Sequence, residues 1–135
     1  MNYWIIKSEP HTYSMDHLTQ DKTTAWTGVR NYQARNNLRQ MKVGDLCLYY
    51  HSGDEKQIVG IAEVIKPAYQ DPTTPDTNWV CVDIQAHKKL KSPITLATLK
   101  AHPTLSKMLL IRHTRLSVIP ISPDDYQAII SLSSL

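Results

Sequence analysis

The chain is constrained most by a series of short β-forming runs that never settle into a strand–helix–strand rhythm. Tyr3-Trp4-Ile5-Ile6-Lys7, Leu46 to Tyr50, Gln57 to Lys66, Trp79 to Ile84 and Leu116 to Ile121 are rich in aromatic and β-branched residues and are bounded by turn chemistry. Pro10 closes the first run, because proline removes a ladder donor and holds Glu9 extended. The clearest pairing is Leu46 to Tyr50 with Gln57 to Lys66, returning through the loop His51 to Lys56 as an antiparallel hairpin. Five or six such strands, with three to five short helices between them, predict an α+β protein built on a small mixed β-barrel rather than a doubly wound sheet.

The helices carry their own signals. Ser14 caps a turn or two around Met15 to Leu18, with Asp16 near the positive end, and a polar loop through Thr24 then delivers Trp26. Asn31 caps a second helix, Tyr32 to Met41, whose Ala34, Leu38 and Met41 form one apolar stripe. A short helix follows Pro93 at Leu96 to Ala101, and Ser122-Pro123-Asp124-Asp125 starts a last one. Between Pro67 and Asn78 the Pro, Asp and Thr content predicts a long ordered loop.

At 135 residues the chain fits one domain spanning 1–135, with enough apolar sequence for one core. Its formal charge of +3 is mild. The distribution is more informative: Thr27 to Val43 and Ile84 to Pro123 contain no acidic residue, and the second stretch holds seven Lys and Arg. Cys47 and Cys81 sit inside apolar runs, which predicts reduced, buried thiols in a cytoplasmic protein. No apolar stretch approaches the roughly 18 residues of a membrane span. The six histidines and two cysteines show no ligand spacing, and the four glycines are isolated, so neither a metal nor a nucleotide cofactor is expected.

Three clusters carry recognition chemistry. Lys7, Ser8 and Glu9 end the first strand, where Lys7 and Glu9 share a face and equally suit a solvated pair. Trp26-Thr27-Gly28-Val29-Arg30-Asn31 combines an aromatic plate, a glycine, a guanidinium and an amide ahead of a helix; it reads either as a base pocket or as core plus cap. Tyr50, His51 and Ser52 at a strand end, and Trp79 after the Pro-rich loop, are further candidates for the pocket wall. Arg35 and Arg39 lie on one helix face beside Tyr32, and with Arg30 and Arg115 they are the candidate phosphate contacts.

Read together, Tyr3 to Pro10, Trp26 to Asn36, Tyr49-Tyr50-His51-Ser52, Gly60 to Val64, Ala68 to Thr73, Trp79 to Asp83 and Arg115 to Val118 resemble the EVE domain family. The resemblance spans essentially the whole chain. It implies a PUA-like fold, kinship with the YTH readers of methylated adenine, and recognition of a modified base, chiefly cytosine, in DNA or RNA. It also assigns Lys7, Ser8, Glu9, Trp26, Asn31, His51 and Ser52 to one pocket, with Val29, Tyr50 and Trp79 as its apolar neighbours. Gln70 departs from the proline common in the Ala-Tyr-Pro-Asp-Pro run. The expected function is therefore non-catalytic binding, by a monomer, of nucleic acid carrying a modified base. The rival is a small nucleobase hydrolase with Lys7 and Glu9 as a proton-transfer pair.

Overall fold

β1 (Tyr3–Ser8) lies inside a six-stranded mixed sheet, between β3 (Leu46–His51), which it pairs in parallel, and β6 (Val118–Ile121), which is antiparallel to it. Trp4, Ile5 and Ile6 are consecutive yet all at most 3% exposed, so both faces of this strand are covered. The computed structural model describes residues 1–134. The remaining strands are β2 (Thr23–Ala25), β4 (Gln57–Gln70) and β5 (Val80–Thr95), and the order across the sheet is β2-β5-β4-β3-β1-β6.

The expected α+β architecture is present, with one refinement. No ladder joins β2 to β6 among the described residues, so the sheet is not closed into a barrel. Helix α2 (Tyr32–Gln40) packs against β4, β5 and β6 instead, and Asn37 Nδ2 donates to the Val118 carbonyl at 2.7 Å. Its cap is Asn31, as the sequence predicts, and Ala34, Leu38 and Met41 are buried.

Two strands outrun their sequence signals. β4 continues through Pro67 to Gln70, so the predicted loop begins later than Pro67. The proline is tolerated at a bulge: Lys66 pairs with Asp83 and Tyr69 with Cys81, three steps on one strand against two on the other. β5 runs on past Ile84 through the polar stretch Gln85 to Lys91, where alternation fails as a signal but pairing with β4 continues.

α1 (Met15–Asp21) starts in a Ser14 capping box completed by His17, and it sits tight against β4. A Cβ on Gly60 would lie 2.6 Å from the Met15 sulfur. α3 (Leu96–Ala101) and α5 (Pro123–Ser133) fall where their caps predict, whereas a 3-10 turn at Leu105–Lys107 and the single-turn α4 (Leu109–Arg112) carry no cap signal. Cys47 and Cys81 are buried and unpaired, as expected. No helix among the described residues is long and apolar enough to cross a membrane.

Candidate functional site

Where β1 ends, the segment after β2 crosses in front of it and leaves a cavity of about 560 Å³. Lys7 and Ser8 come from the strand end, Tyr13 from the approach to α1, Thr24 and Trp26 from β2 and the segment after it, and Asn31 from the cap of α2. Ser117, just ahead of β6, closes another side, where its carbonyl accepts the Lys7 amide at 3.0 Å. The size is within the range of roughly 300 to 1,000 Å³ usual for sites that hold small organic groups.

Trp26 belongs to the core and to the cavity lining at once. It is 8% exposed and packs edge-on to Tyr49 with ring centroids 5.5 Å apart, yet it also lines the cavity. Asn31 is likewise double. Its Oδ1 accepts the Ala34 N–H at 2.9 Å, which caps α2, and its Nδ2 has no hydrogen-bond partner among the described residues. The Ser8 hydroxyl makes a long 3.4 Å contact to the Glu9 carbonyl and interacts with the Tyr49 hydroxyl, and its remaining lone pair can accept from a ligand. Burial lowers the pKa of the Lys7 ammonium, whose Nζ donates to the Thr114 carbonyl at 3.1 Å.

The cavity wall is held from behind by a residue whose role the sequence does not announce. Asp71 is fully buried and accepts from the Gly28 N–H at 2.8 Å, Arg30 Nη1 at 3.1 Å, and the Thr73 N–H and hydroxyl at 2.8 and 2.6 Å. Burial alone would raise its pKa, but these donors outweigh it and hold the carboxyl down at about 2. Gly28 turns the chain at φ +85°, a conformation that disfavours other residues, and so presents its N–H to Asp71. Asp71-Pro72 reads locally as turn chemistry, and only the tertiary contact shows that it clamps Gly28 and Arg30.

The sequence-predicted residues divide accordingly. Lys7, Ser8, Trp26, Val29, Arg30 and Asn31 converge on the cavity. Thr12, Tyr13, Thr24, Thr27 and Ser117 join them without having been singled out. Trp79 stands one side chain further out, its ring centroid 5.7 Å from the Arg30 guanidinium. Tyr50 and Ser52 face a separate depression that also includes Lys7. His51 is buried and braces the fold. Its Nε2 accepts the Met15 N–H at 3.0 Å, so the proton resides on Nδ1 and is donated to Glu55 at 2.9 Å. Glu9 pairs with His11 at 3.0 Å beside a third depression, away from the Lys7 head. Of the candidate phosphate contacts, Arg30 is committed to Asp71 and Arg35 to Asn36 and the Asn78 carbonyl, while Arg39 and Arg115 are exposed.

The family model for the EVE domain matches residues 2–132. This chain belongs to the EVE domain family. Among its relatives, mouse thymocyte nuclear protein 1 is 38% identical over an alignment covering 97% of this EVE domain and 73% of the relative. An NMR structure of a Rhodopseudomonas palustris protein is 44% identical with a TM-score of 0.95, covering 99% of this chain and 94% of that one. The crystal structure of human THYN1 protein in complex with 5-methylcytosine-containing DNA is 33% identical with a TM-score of 0.92, covering 100% of this EVE domain and 99% of that chain.

Proposed function

We propose that this EVE domain is a non-catalytic reader that takes one modified cytosine, unstacked from DNA, into the Trp26 cavity. The observation that carries the proposal is the cavity itself: an aromatic wall, an amide and several hydroxyls beside the Lys7 and Arg30 cations, with no carboxylate, imidazole or thiol among its lining residues. Such a lining can hold a neutral base by stacking and edge hydrogen bonds, and it offers Lys7 no carboxylate partner for a proton-transfer pair. The chain-long likeness to a protein crystallised with 5-methylcytosine-containing DNA supports the choice of base and of DNA over RNA.

Stacking on Trp26 contributes about 1 to 3 kcal/mol and extrusion from a duplex costs a few, so the two nearly cancel. Asn31 Nδ2 and the Ser8 hydroxyl read the base edge, and phosphate contacts supply the remaining affinity. Burying one added methyl group against Trp26 and Val29 is worth about 0.8 kcal/mol, a preference over plain cytosine of about fourfold. The binding unit is a single copy. Two buried, unpaired thiols suit a reducing compartment such as the cytoplasm.

The hydrolase reading finds less support. Lys7 Nζ donates to the Thr114 carbonyl and Glu9 pairs with His11, so the two side chains are engaged with other partners rather than with each other.

Fluorescence anisotropy tests the proposal, with wild type, Trp26→Ala and Trp26→Phe on matched DNA and RNA oligonucleotides carrying plain or modified cytosine. The expected result is a preference for modified DNA that Trp26→Phe weakens and Trp26→Ala abolishes. Equal, purely salt-driven binding by all three proteins would overturn it, and stronger binding to the RNA series would overturn the assignment to DNA.

A further inference from the structure

A second depression, of about 300 Å³, adjoins the base cavity across Lys7. Lys7, Tyr50, Ser52, Lys56, Lys100 and Thr114 are among its lining residues, and none of the lining residues is acidic. The three ammonium groups arrive from three different elements: the end of β1, the β3–β4 turn and the last turn of α3. The fold fixes the backbone from which each one projects. Lys56 has φ +49° and its carbonyl accepts the Leu96 N–H at 2.8 Å, which ties the turn to the start of α3. Lys7 uses one of its three N–H donors on Thr114 and lies 5.8 Å from the Tyr50 ring centroid, leaving two donors free.

Gathered cations repel one another unless an anion lies between them. Asp54 and Glu55 line an adjoining depression with Lys56 and Lys100; Glu55 is engaged by His51 and Gln57, and Asp54 is outside the lining of the Lys7 depression, where it offsets part of the positive charge without occupying the space between the three ammonium groups. The arginines predicted to take phosphate are in part unavailable, since Arg30 is neutralised by buried Asp71. A base and its phosphate are joined through one sugar, so a base cavity and a cationic depression that share one side chain match a single nucleotide.

We infer that the Lys7–Lys56–Lys100 depression holds a backbone phosphate next to the base in the Trp26 cavity. The inference rests on the base-reading proposal and assigns that strand's anchor.

The test measures binding of modified-cytosine DNA against salt for wild type, Lys56→Gln/Lys100→Gln and, as a comparison, Arg39→Gln/Arg115→Gln. Both lysines are exposed, and thermal midpoints check that the fold is kept. Each oligonucleotide is also made with one uncharged methylphosphonate linkage on either side of the modified base. The lysine variant is expected to lower the slope of log affinity against log salt by about 0.9, the value for one phosphate contact. Wild type should weaken on one neutral linkage, and the lysine variant, which retains only Lys7 at the site, should be markedly less sensitive to it while keeping the ratio of modified to plain binding. A lysine variant that keeps both the slope and the sensitivity to that linkage overturns the inference. Loss of affinity in the arginine variant alone overturns it too. Inorganic phosphate should displace no more DNA than chloride of equal ionic strength; specific displacement would mean a free-phosphate site and overturn the strand assignment. If wild type shows no base preference but the linkage effect persists, the base reading fails and the phosphate site stands.

Discussion

Trp26 and Asn31 each hold the fold and line the cavity, so stability and the proposed recognition meet in the same side chains. Trp26→Ala removes a buried aromatic at a cost of about 3 to 5 kcal/mol, which is why Trp26→Phe is the more informative probe. Asn31 permits a cleaner separation, because it lines the cavity and its Oδ1 caps α2 while its Nδ2 has no hydrogen-bond partner among the described residues. Serine caps a helix about as well as asparagine but carries no amide. Asn31→Ser is therefore expected to keep the thermal midpoint nearly unchanged and to weaken binding of modified DNA about fivefold to tenfold, the worth of about 1 kcal/mol in one hydrogen bond. Asn31→Ala should lose the binding and about 1 kcal/mol of stability as well. Undiminished binding by Asn31→Ser would show that the amide does not read the base.

At the scale of elements, the segment between β4 and β5 is fastened to α2 by a stack of side chains. Tyr32 is 59% exposed, yet its ring lies 4.9 Å from that of Trp79 and 5.0 Å from the Arg35 guanidinium, and Arg35 Nη1 donates to the Asn78 carbonyl at 3.1 Å. Because Asp71 in the same segment holds Gly28, the stack supports the cavity wall indirectly. An aromatic pair of this kind is worth about 0.5 to 1.5 kcal/mol. Tyr32→Ala should raise amide hydrogen exchange across 71–79 and at Gly28 by up to about tenfold, with little change in the β1 and β3 amides. Equal protection in the variant would mean that the segment is held by Asp71 alone.

Across the whole molecule, two buried carboxylates tie distant parts of the chain together. Asp45 accepts from the Asn2 N–H, Trp4 Nε1 and the Lys42 N–H, each at 3.0 Å, and joins β1 to the entry of β3. Burial opposes its ionised form, but these donors prevail and its pKa is lowered. Asp71, at about 2 against an ordinary 3.8, is shifted the same way. Each folded-state pKa lies below the unfolded one, so their stabilisation is complete above about pH 4 and is lost as the pH falls toward 2. For Asp71 the shift corresponds to about 2 kcal/mol. Thermal midpoints should fall steeply from pH 4 to pH 2 in the wild type. Asp71→Asn should start lower at neutral pH and decline less, and an unchanged slope in that variant would exclude Asp71 as the titrating group.

The local and periodic features were legible in the residues themselves. Caps at Ser14, Asn31 and Ser122, the apolar stripe of α2 and the β3–β4 hairpin follow from chemistry within a few positions, so they survive in the structure where they were read. The family resemblance extended this to the fold, and it grouped Trp26 with Asn31, which line one cavity. Tertiary structure decided the rest. The length of β5 depends on pairing with β4 rather than on its own alternation, and the open ends of the sheet depend on which strands find partners. His51 became a brace for α1, and Tyr50 and Ser52 moved to the neighbouring depression, because strand register sets which side chains meet. Asp71 was a turn residue by sequence and a buried clamp by structure. A carboxylate's role depends on which donors the fold brings to it, and Gly28 and Arg30 lie more than forty residues away along the chain.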